Sequence, residues 1–112
     1  MSIRGRKVTT FVPDNTKVAD ITHADVNHHT ITLATMGLPV TAVCLILGAM
    51  RQGGTGMFYA YPNEGGVGFY IGHVGGTSYA KSVGIINQRL EYNLTVANDD
   101  FDLYCFGYWI ES

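Results

Sequence analysis

Residues 90–97 read Leu-Glu-Tyr-Asn-Leu-Thr-Val-Ala. Apolar side chains alternate there with polar or small ones, the apolar positions being Leu90, Tyr92, Leu94 and Val96. A period of two residues is typical of a β-strand with one face in a hydrophobic core and the other in water. The turn-forming run Asn98-Asp99-Asp100 follows directly, so the stretch predicts a strand that ends near residue 97.

The same rhythm extends in both directions from this strand. Clusters of Gly, Pro, Asn and Asp recur at short intervals, and the runs between them are rich in Val, Ile, Thr, Tyr and Phe. The predicted strands are Lys7–Val12, His29–Met36, Val40–Met50, Met57–Tyr61, Val67–Gly72, Tyr79–Ile86, Leu90–Ala97 and Asp102–Ile110, with Val18–Ile21 as a weaker ninth. Since no run repeats with the helical period, we predict an all-β fold, a jelly-roll-like antiparallel β-sandwich of about eight strands.

Chain length and charge content bound the class of protein. One hundred and twelve residues make one domain's worth of chain, which we divide into a partly extended N-terminal arm, residues 1–28, and a β-sandwich domain, residues 29–112. Only 14% of the residues are charged and 46% are hydrophobic, which excludes intrinsic disorder. The net charge of −2 argues against a nucleic-acid partner, because nucleic-acid-binding domains are usually basic.

Signals for membranes, secretion and disulfides are weak. The apolar run Leu38–Met50 is shorter than the ~20 residues of a spanning helix, so we expect no membrane partner. Val8–Val12 is too short and too polar for the core of a signal peptide. Cys44 and Cys105 both lie in apolar runs, and we expect two buried free thiols.

Charge is scarce in the middle of the chain, where the 73 residues from Val26 to Asn98 hold only five charged side chains. The predicted strands Val40–Met50 and Asp102–Ile110 are apolar on both faces, although a two-layer sandwich buries one face of each sheet. Either an arm of the same chain or a second subunit must cover the other face, and obligate subunit interfaces resemble a divided core. We expect a subunit interface, formed by Val43, Leu45, Leu47, Tyr104, Phe106, Tyr108 and Ile110.

Clusters of potential ligands do not match known sites. Residues 20–29 hold three histidines and two aspartates, but no spacing typical of zinc such as His-Glu-x-x-His. We interpret the stretch as a polar arm whose histidines hydrogen-bond to neighbours. The acidic run at 98–102 lacks the calcium-loop pattern and is interpreted as a solvated turn. Since no nucleophile–base arrangement has local support, we predict no metal, no cofactor and no enzyme activity.

Aromatic and basic residues point to partners. Aromatic residues make up 12% of the chain. Strands and interfaces favour aromatic side chains, and exposed ones also let sandwich modules stack on sugar rings, so glycan binding is an alternative function. The basic start, with Arg4, Arg6 and Lys7, is suited to docking on an acidic partner surface.

Four short motifs together resemble a known group of proteins. They are Thr41-Ala-Val-Cys-Leu45, Met57-Phe-Tyr-Ala-Tyr-Pro-Asn-Glu-Gly65, Leu90-Glu-Tyr92 and Phe106-Gly-Tyr-Trp109. Over residues 38–110 the chain is similar to small β-sandwich proteins of tailed bacteriophages. It departs from them in the inserted Glu64 of the Asn-Gly turn and in Leu90, where those proteins usually have Ile.

The resemblance implies a virion structural protein, made in the host cytoplasm and located on the capsid surface. Within that class it implies a capsid cement or decoration protein, often a homotrimer at local three-fold positions, that contacts the major capsid protein and stabilises the shell. The basic arm with Arg4, Arg6 and Lys7 would then dock on the capsid. The alternative is a tail- or fibre-associated carbohydrate-binding module.

Overall fold

The computed structural model describes residues 8–62, 69–70 and 80–111. These residues form eight strands: β1 Thr9–Thr22, β2 His29–Thr32, β3 Ala42–Gly53, β4 Phe58–Tyr61, β5 Phe69–Tyr70, β6 Lys81–Gly84, β7 Arg89–Leu94 and β8 Asp100–Glu111. In this part of the chain no helix is long and apolar enough to cross a membrane.

The strands form two four-stranded antiparallel sheets. The first sheet has the order β1-β8-β3-β6, and the second has the order β2-β7-β4-β5. Every connection except that between β4 and β5 passes from one sheet to the other, which is the strand order of a jelly roll. The predicted all-β, jelly-roll-like antiparallel sandwich is therefore confirmed.

The hydrophobic core lies between the two sheets. The ring of Phe58 on β4 packs with its centroid 5.7 Å from that of Phe101 on β8 and 5.3 Å from that of Tyr92 on β7. The contact with Phe101 joins the two sheets, whereas the contact with Tyr92 lies within the second sheet. On β7 the predicted core positions Leu90, Tyr92 and Leu94 are buried, but Glu91 on the other face is also buried and Val96, beyond the end of the strand, is 40% exposed.

A β-bulge in β8 reverses its alternation of inward and outward side chains. Gly107 pairs with Ile46 of β3, but the next pair along joins Cys105 to Leu47, so Phe106 is an extra residue in β8. One extra residue shifts the side chains beyond it to the opposite face. Gly107 is required beside the bulge, because a Cβ there would lie 2.4 Å from a ring atom of Phe11.

The N-terminal part of the described chain belongs to the first sheet. β1 pairs with β8 from Thr9 to Thr22, with register shifts between Pro13 and Thr16 and between Lys17 and Ala19. The separate strands predicted at Lys7–Val12 and Val18–Ile21 are thus one irregular strand. Residues 9–22 form a sheet edge, which differs from the arm expected over residues 1–28.

Several predicted strands are longer than the strands in the structure. β2 ends at Thr32 because the chain turns there, with the N–H of Met36 donating to the carbonyl of Thr32 at 3.2 Å and Gly37 at a φ of 73°. β7 ends at Leu94 and a turn follows, in which Asn98 has a φ of 65°. Of the predicted strand Val67–Gly72, only β5 falls in the described residues.

The predicted interface mixes residues from both faces of the first sheet. Leu45 and Leu47 are 0% exposed in the core, so their assignment to a subunit interface is wrong. Tyr108 and Ile110 also pack against the core. The bulge at Phe106 explains why Tyr108 and Ile110 were predicted on the outer face. Strict alternation continued past the bulge assigns both side chains to the wrong side of the sheet.

The remaining predicted interface residues in the described chain are only partly buried. Tyr104 and Phe106 are half-buried, and both line a groove on the outer face of the first sheet. Val43 is half-buried at a further register shift, between Ala42 and Cys44 of β3. Arg4, Arg6 and Lys7 lie outside the described residues.

Leu45→Ala is expected to lower the free energy of unfolding by about 2–5 kcal/mol, because it removes buried methyl groups and leaves a cavity. Ile46→Ala is the matched control: the neighbouring side chain is half-buried on the other face and should cost about 1 kcal/mol or less. Urea unfolding followed by Trp109 fluorescence measures both losses. Equal losses would contradict the assignment of the two faces.

Candidate functional site

The candidate site is the outer face of the first sheet, which we call the apolar face. It is formed by β1, β8 and β3, and its side chains are Phe11, Ile46, Met50, Tyr104, Phe106 and Trp109. All six are uncharged and none is fully buried. The second sheet covers the opposite face, so this one has no covering layer in the described chain.

An aromatic pair projects from one end of the apolar face. Phe11 of β1 lies opposite Trp109 of β8, and their ring centroids are 5.1 Å apart. Phe11 is 38% exposed and Trp109 is 39% exposed. The pair stands above Gly107, whose missing side chain makes room for the Phe11 ring. Two large apolar rings are therefore held in a fixed position in contact with water.

A groove lies further along the same face. Gly48 of β3 pairs with Tyr104 of β8, and its lack of a side chain leaves a depression between neighbouring residues. The groove has a volume of about 330 Å³ and is lined by Asn15, Gly48, Ala49, Met50, Tyr104 and Phe106. The rings of Tyr104 and Phe106 are stacked along it, with centroids 6.4 Å apart.

Charged residues lie directly beside the groove at one end of the face, where Lys17 pairs with Tyr104 and Asp102 pairs with Met50. Lys17 lies 2.7 Å from a carboxylate oxygen of Asp20 and 3.5 Å from one of Asp102. Hydrogen bonding to Asp20 raises the pKa of Lys17, and hydrogen bonding to Lys17 lowers the pKa of Asp20. Desolvation, with a hydrogen bond to Asp20, raises the pKa of Asp102. An apolar centre with charges at its border is the usual anatomy of a protein interface.

The apolar face contains two of the predicted interface residues and four that the sequence analysis missed. Tyr104 and Phe106 were predicted; Phe11, Ile46, Met50 and Trp109 were not. A usable signal was present for one pair, because aromatic residues that face each other across antiparallel strands stabilise a sheet and often mark its register. The bulge at Phe106 concealed it.

The outer face of the second sheet is polar by comparison. The hydroxyl of Tyr61 donates to the Asn93 side chain at 2.6 Å. Nδ1 of His28 lies 2.6 Å from Oε1 of Glu91, and the rings of His28 and Tyr61 stack with centroids 4.5 Å apart. Glu91 is 8% exposed, although the alternation predicted it in water. Most polar groups of this face are hydrogen-bonded, although Oε2 of Glu91 is buried and has no hydrogen-bond partner among the described residues.

The other two described histidines form a parallel stack between β1 and β2. The rings of His23 and His29 are 3.6 Å apart at an interplanar angle of 5°. Nε2 of His23 lies 2.7 Å from the hydroxyl of Tyr92, and Nε2 of His29 lies 2.8 Å from Oδ1 of Asp25. The interpretation that the histidines hydrogen-bond to neighbours is confirmed.

No group of three or more His, Cys, Asp or Glu side chains among the described residues is arranged to hold a metal ion. In the stack, the nitrogen lone pairs lie in the planes of two parallel rings and do not converge on one point. Cys44 and Cys105 are free thiols, and burial raises the pKa of both.

The acidic turn after β7 has a structural role. Asp99 is 3% exposed, and its Oδ2 accepts a hydrogen bond from the backbone N–H of Gly56. Gly54 and Gly56 approach this carboxylate so closely that a Cβ at either residue would overlap it. The turn thus ties the loop between β3 and β4 to the start of β8, and the expectation of a solvated turn is wrong for Asp99.

Comparison of the chain with protein-family models, with curated proteins and with solved structures gives no match. We therefore infer the function from the residues of the chain and from their geometry.

Asp99→Ala is expected to destabilise the fold by about 1–3 kcal/mol, because the buried N–H of Gly56 loses its acceptor. Asp100→Ala is the matched control; its side chain is exposed and its removal should change stability by about 0.5 kcal/mol or less. Urea unfolding midpoints compare the two variants. A stable Asp99→Ala variant would show that the carboxylate does not hold the loop.

Proposed function

We propose that the protein is a structural protein that self-associates through its apolar face, as a decoration protein of a bacteriophage capsid. Self-association is supported by the contrast between the two outer faces of the sandwich. The second sheet has a polar, hydrogen-bonded exterior, whereas the first presents six uncharged and mostly aromatic or aliphatic side chains. An apolar sheet face is stabilised when another surface removes it from water.

The shape of the face supports a second copy of the chain as its partner. The aromatic pair projects next to Cys44, the β3 partner of Trp109, and the groove is centred on Gly48. Cys44 and Gly48 are four residues apart on β3, so the aromatic pair and the groove are separated by about 13 Å. A projection and a depression on one surface allow the projection of one copy to enter the depression of another, in a two-fold contact or in a closed ring.

The size of the face also fits a subunit contact. Three strands of about 12 residues cover roughly 40 Å by 14 Å, which is roughly 570 Å² of flat sheet. This flat area is somewhat below the ~800 Å² per partner that standard interfaces bury, and therefore corresponds to a small subunit contact. The trimeric state follows from the resemblance to phage proteins, whereas the apolar face supports self-association as such.

By light scattering, the unaltered chain is expected to have three times the mass of the 12.2 kDa chain. Phe106→Asp is expected to give a monomer. A carboxylate in the groove would have to be buried without a partner on association, which is strongly unfavourable. Ile86→Asp is the matched control, since Ile86 is 50% exposed in the turn before β7, away from the apolar face. It should remain associated.

Three outcomes bear on this proposal. A monomeric unaltered chain would remove self-association, and loss of association in both variants would remove the assignment to the apolar face. A dimer would support the face and contradict the trimer.

The place in the virion is supported by two further features. Jelly rolls build many viral shells, although lectins share the fold, so the fold alone does not identify the function. The motifs Leu90-Glu-Tyr92 and Phe106-Gly-Tyr-Trp109 resemble those of small phage β-sandwich proteins. In the proposal, Arg4, Arg6 and Lys7 dock the assembly on the major capsid protein.

An antibody against the chain should label the heads of phage particles from the host that carries its gene, as seen by electron microscopy. Label on tails or fibres would contradict the capsid position, and particles without label would contradict a virion protein. Pre-incubation of the antibody with the purified chain is the control for specificity.

Glycan binding is the second candidate function, and the outer face of the second sheet favours it. The stacked rings of Tyr61 and His28 lie beside the polar side chains of Glu91 and Asn93. Aromatic rings next to hydrogen-bonding groups are suited to sugar rings. A glycan array tests this candidate independently of self-association, because the two surfaces lie on different sheets.

A further inference from the structure

The connection between β1 and β2 is held against the end of the sandwich mainly by histidines and their neighbours. His23 reaches the hydroxyl of Tyr92, a largely buried residue whose ring packs on Phe58. The carbonyl of His23 accepts a hydrogen bond from the N–H of Asn98 at 2.7 Å. Asp25 closes the connection on itself by accepting from the N–H of Asn27 and by contacting His29.

We propose that residues 23–27 form an acid-released latch, in which protonation of both stacked imidazoles detaches the connection from the end of β7. Neutral imidazoles stack favourably at 3.6 Å. Two imidazolium rings at that distance repel each other, because two like charges are then in contact and partly shielded from water. The latch is therefore stable when no more than one of the two stacked imidazoles is protonated.

The surrounding groups compensate only one of the two charges. Asp25 bonds to His29, and this hydrogen bond lowers the pKa of the Asp25 carboxyl. A first proton on the stack is balanced by that carboxylate. His23 instead faces the Tyr92 hydroxyl, which carries no formal charge at neutral pH.

Neighbouring elements present few other charges to the stack. On β7, Glu91 is paired with His28, and on β4 the ring of Tyr61 covers the same histidine. In the turn before β8, Asp99 is bound to Gly56. Asp100 in that turn is exposed. In the described part of the chain, no carboxylate is hydrogen-bonded to His23.

The direction of the pH effect follows from His23. Burial, with the charge of His29, lowers the pKa of His23, and only Asp25 opposes this. The released connection therefore binds the second proton more readily than the latched one. The latch is fully stabilised above the ordinary histidine pKa of about 6.5 and loses this stabilisation as the pH falls.

His28 limits the release. Its 2.6 Å contact with Glu91 holds the start of β2 on β7. The released segment thus ends before residue 28. The core below remains closed by β2.

Hydrogen exchange of the Asn98 amide measures the release, because that N–H is bonded to the His23 carbonyl. After correction for intrinsic rates, its protection should fall severalfold between about pH 7.5 and about pH 5, the range that spans the ordinary histidine pKa. Trp109 fluorescence should stay constant, since Trp109 lies at the opposite end of β8 and reports global unfolding.

His29→Phe keeps an aromatic ring in the stack but removes one of its charges, so the pH dependence of Asn98 protection should become clearly weaker, with only the burial of His23 left to disfavour its protonation. His28→Gln leaves the stack intact and should retain the full dependence. Equal protection of the unaltered chain at both pH values overturns the latch, even if a variant fails to fold. A loss that Trp109 fluorescence follows, or a pH dependence that is unchanged in His29→Phe, also overturns it.

Discussion

The pairing of β8 with a long strand on each side is the constraint on which the rest of the structure depends. β8 bonds to β1 along one edge and to β3 along the other, almost from end to end. Its bulge at Phe106 consequently determines which side chains of three strands enter the core. The apolar face, its groove and its projecting aromatic pair are the other side of the same arrangement.

The fold was predictable because its signals are local. Turn residues separate the strands, and the alternation around Leu90 identifies a half-buried strand without knowledge of its partners. The faces of the two most apolar strands were not predictable in this way. A bulge exists only when two strands pair, and a single extra residue at Phe106 moves Tyr108 into the core and Trp109 out of it.

Several polar contacts also could not be predicted from the local sequence. The alternation predicted Glu91 in water, but His28 covers it from a position 63 residues earlier in the chain. Asp99 was expected in a solvated turn and instead binds the backbone of Gly56, 43 residues away. Residue type alone indicated that the histidines would form hydrogen bonds. The identity of the residues that they bond to depends on how the chain folds back on itself.

The irregular edge of β1 has a consequence for how large an assembly can grow. Pro13 cannot donate a backbone hydrogen bond, two register shifts distort the strand, and Lys17 places a charge along it. Such an edge is a poor template for a further strand, so sheets of different molecules do not fuse into fibrils through it. In the proposed self-association the contact lies on the apolar face and not on this edge, an arrangement that is compatible with closed particles and does not extend a sheet strand by strand.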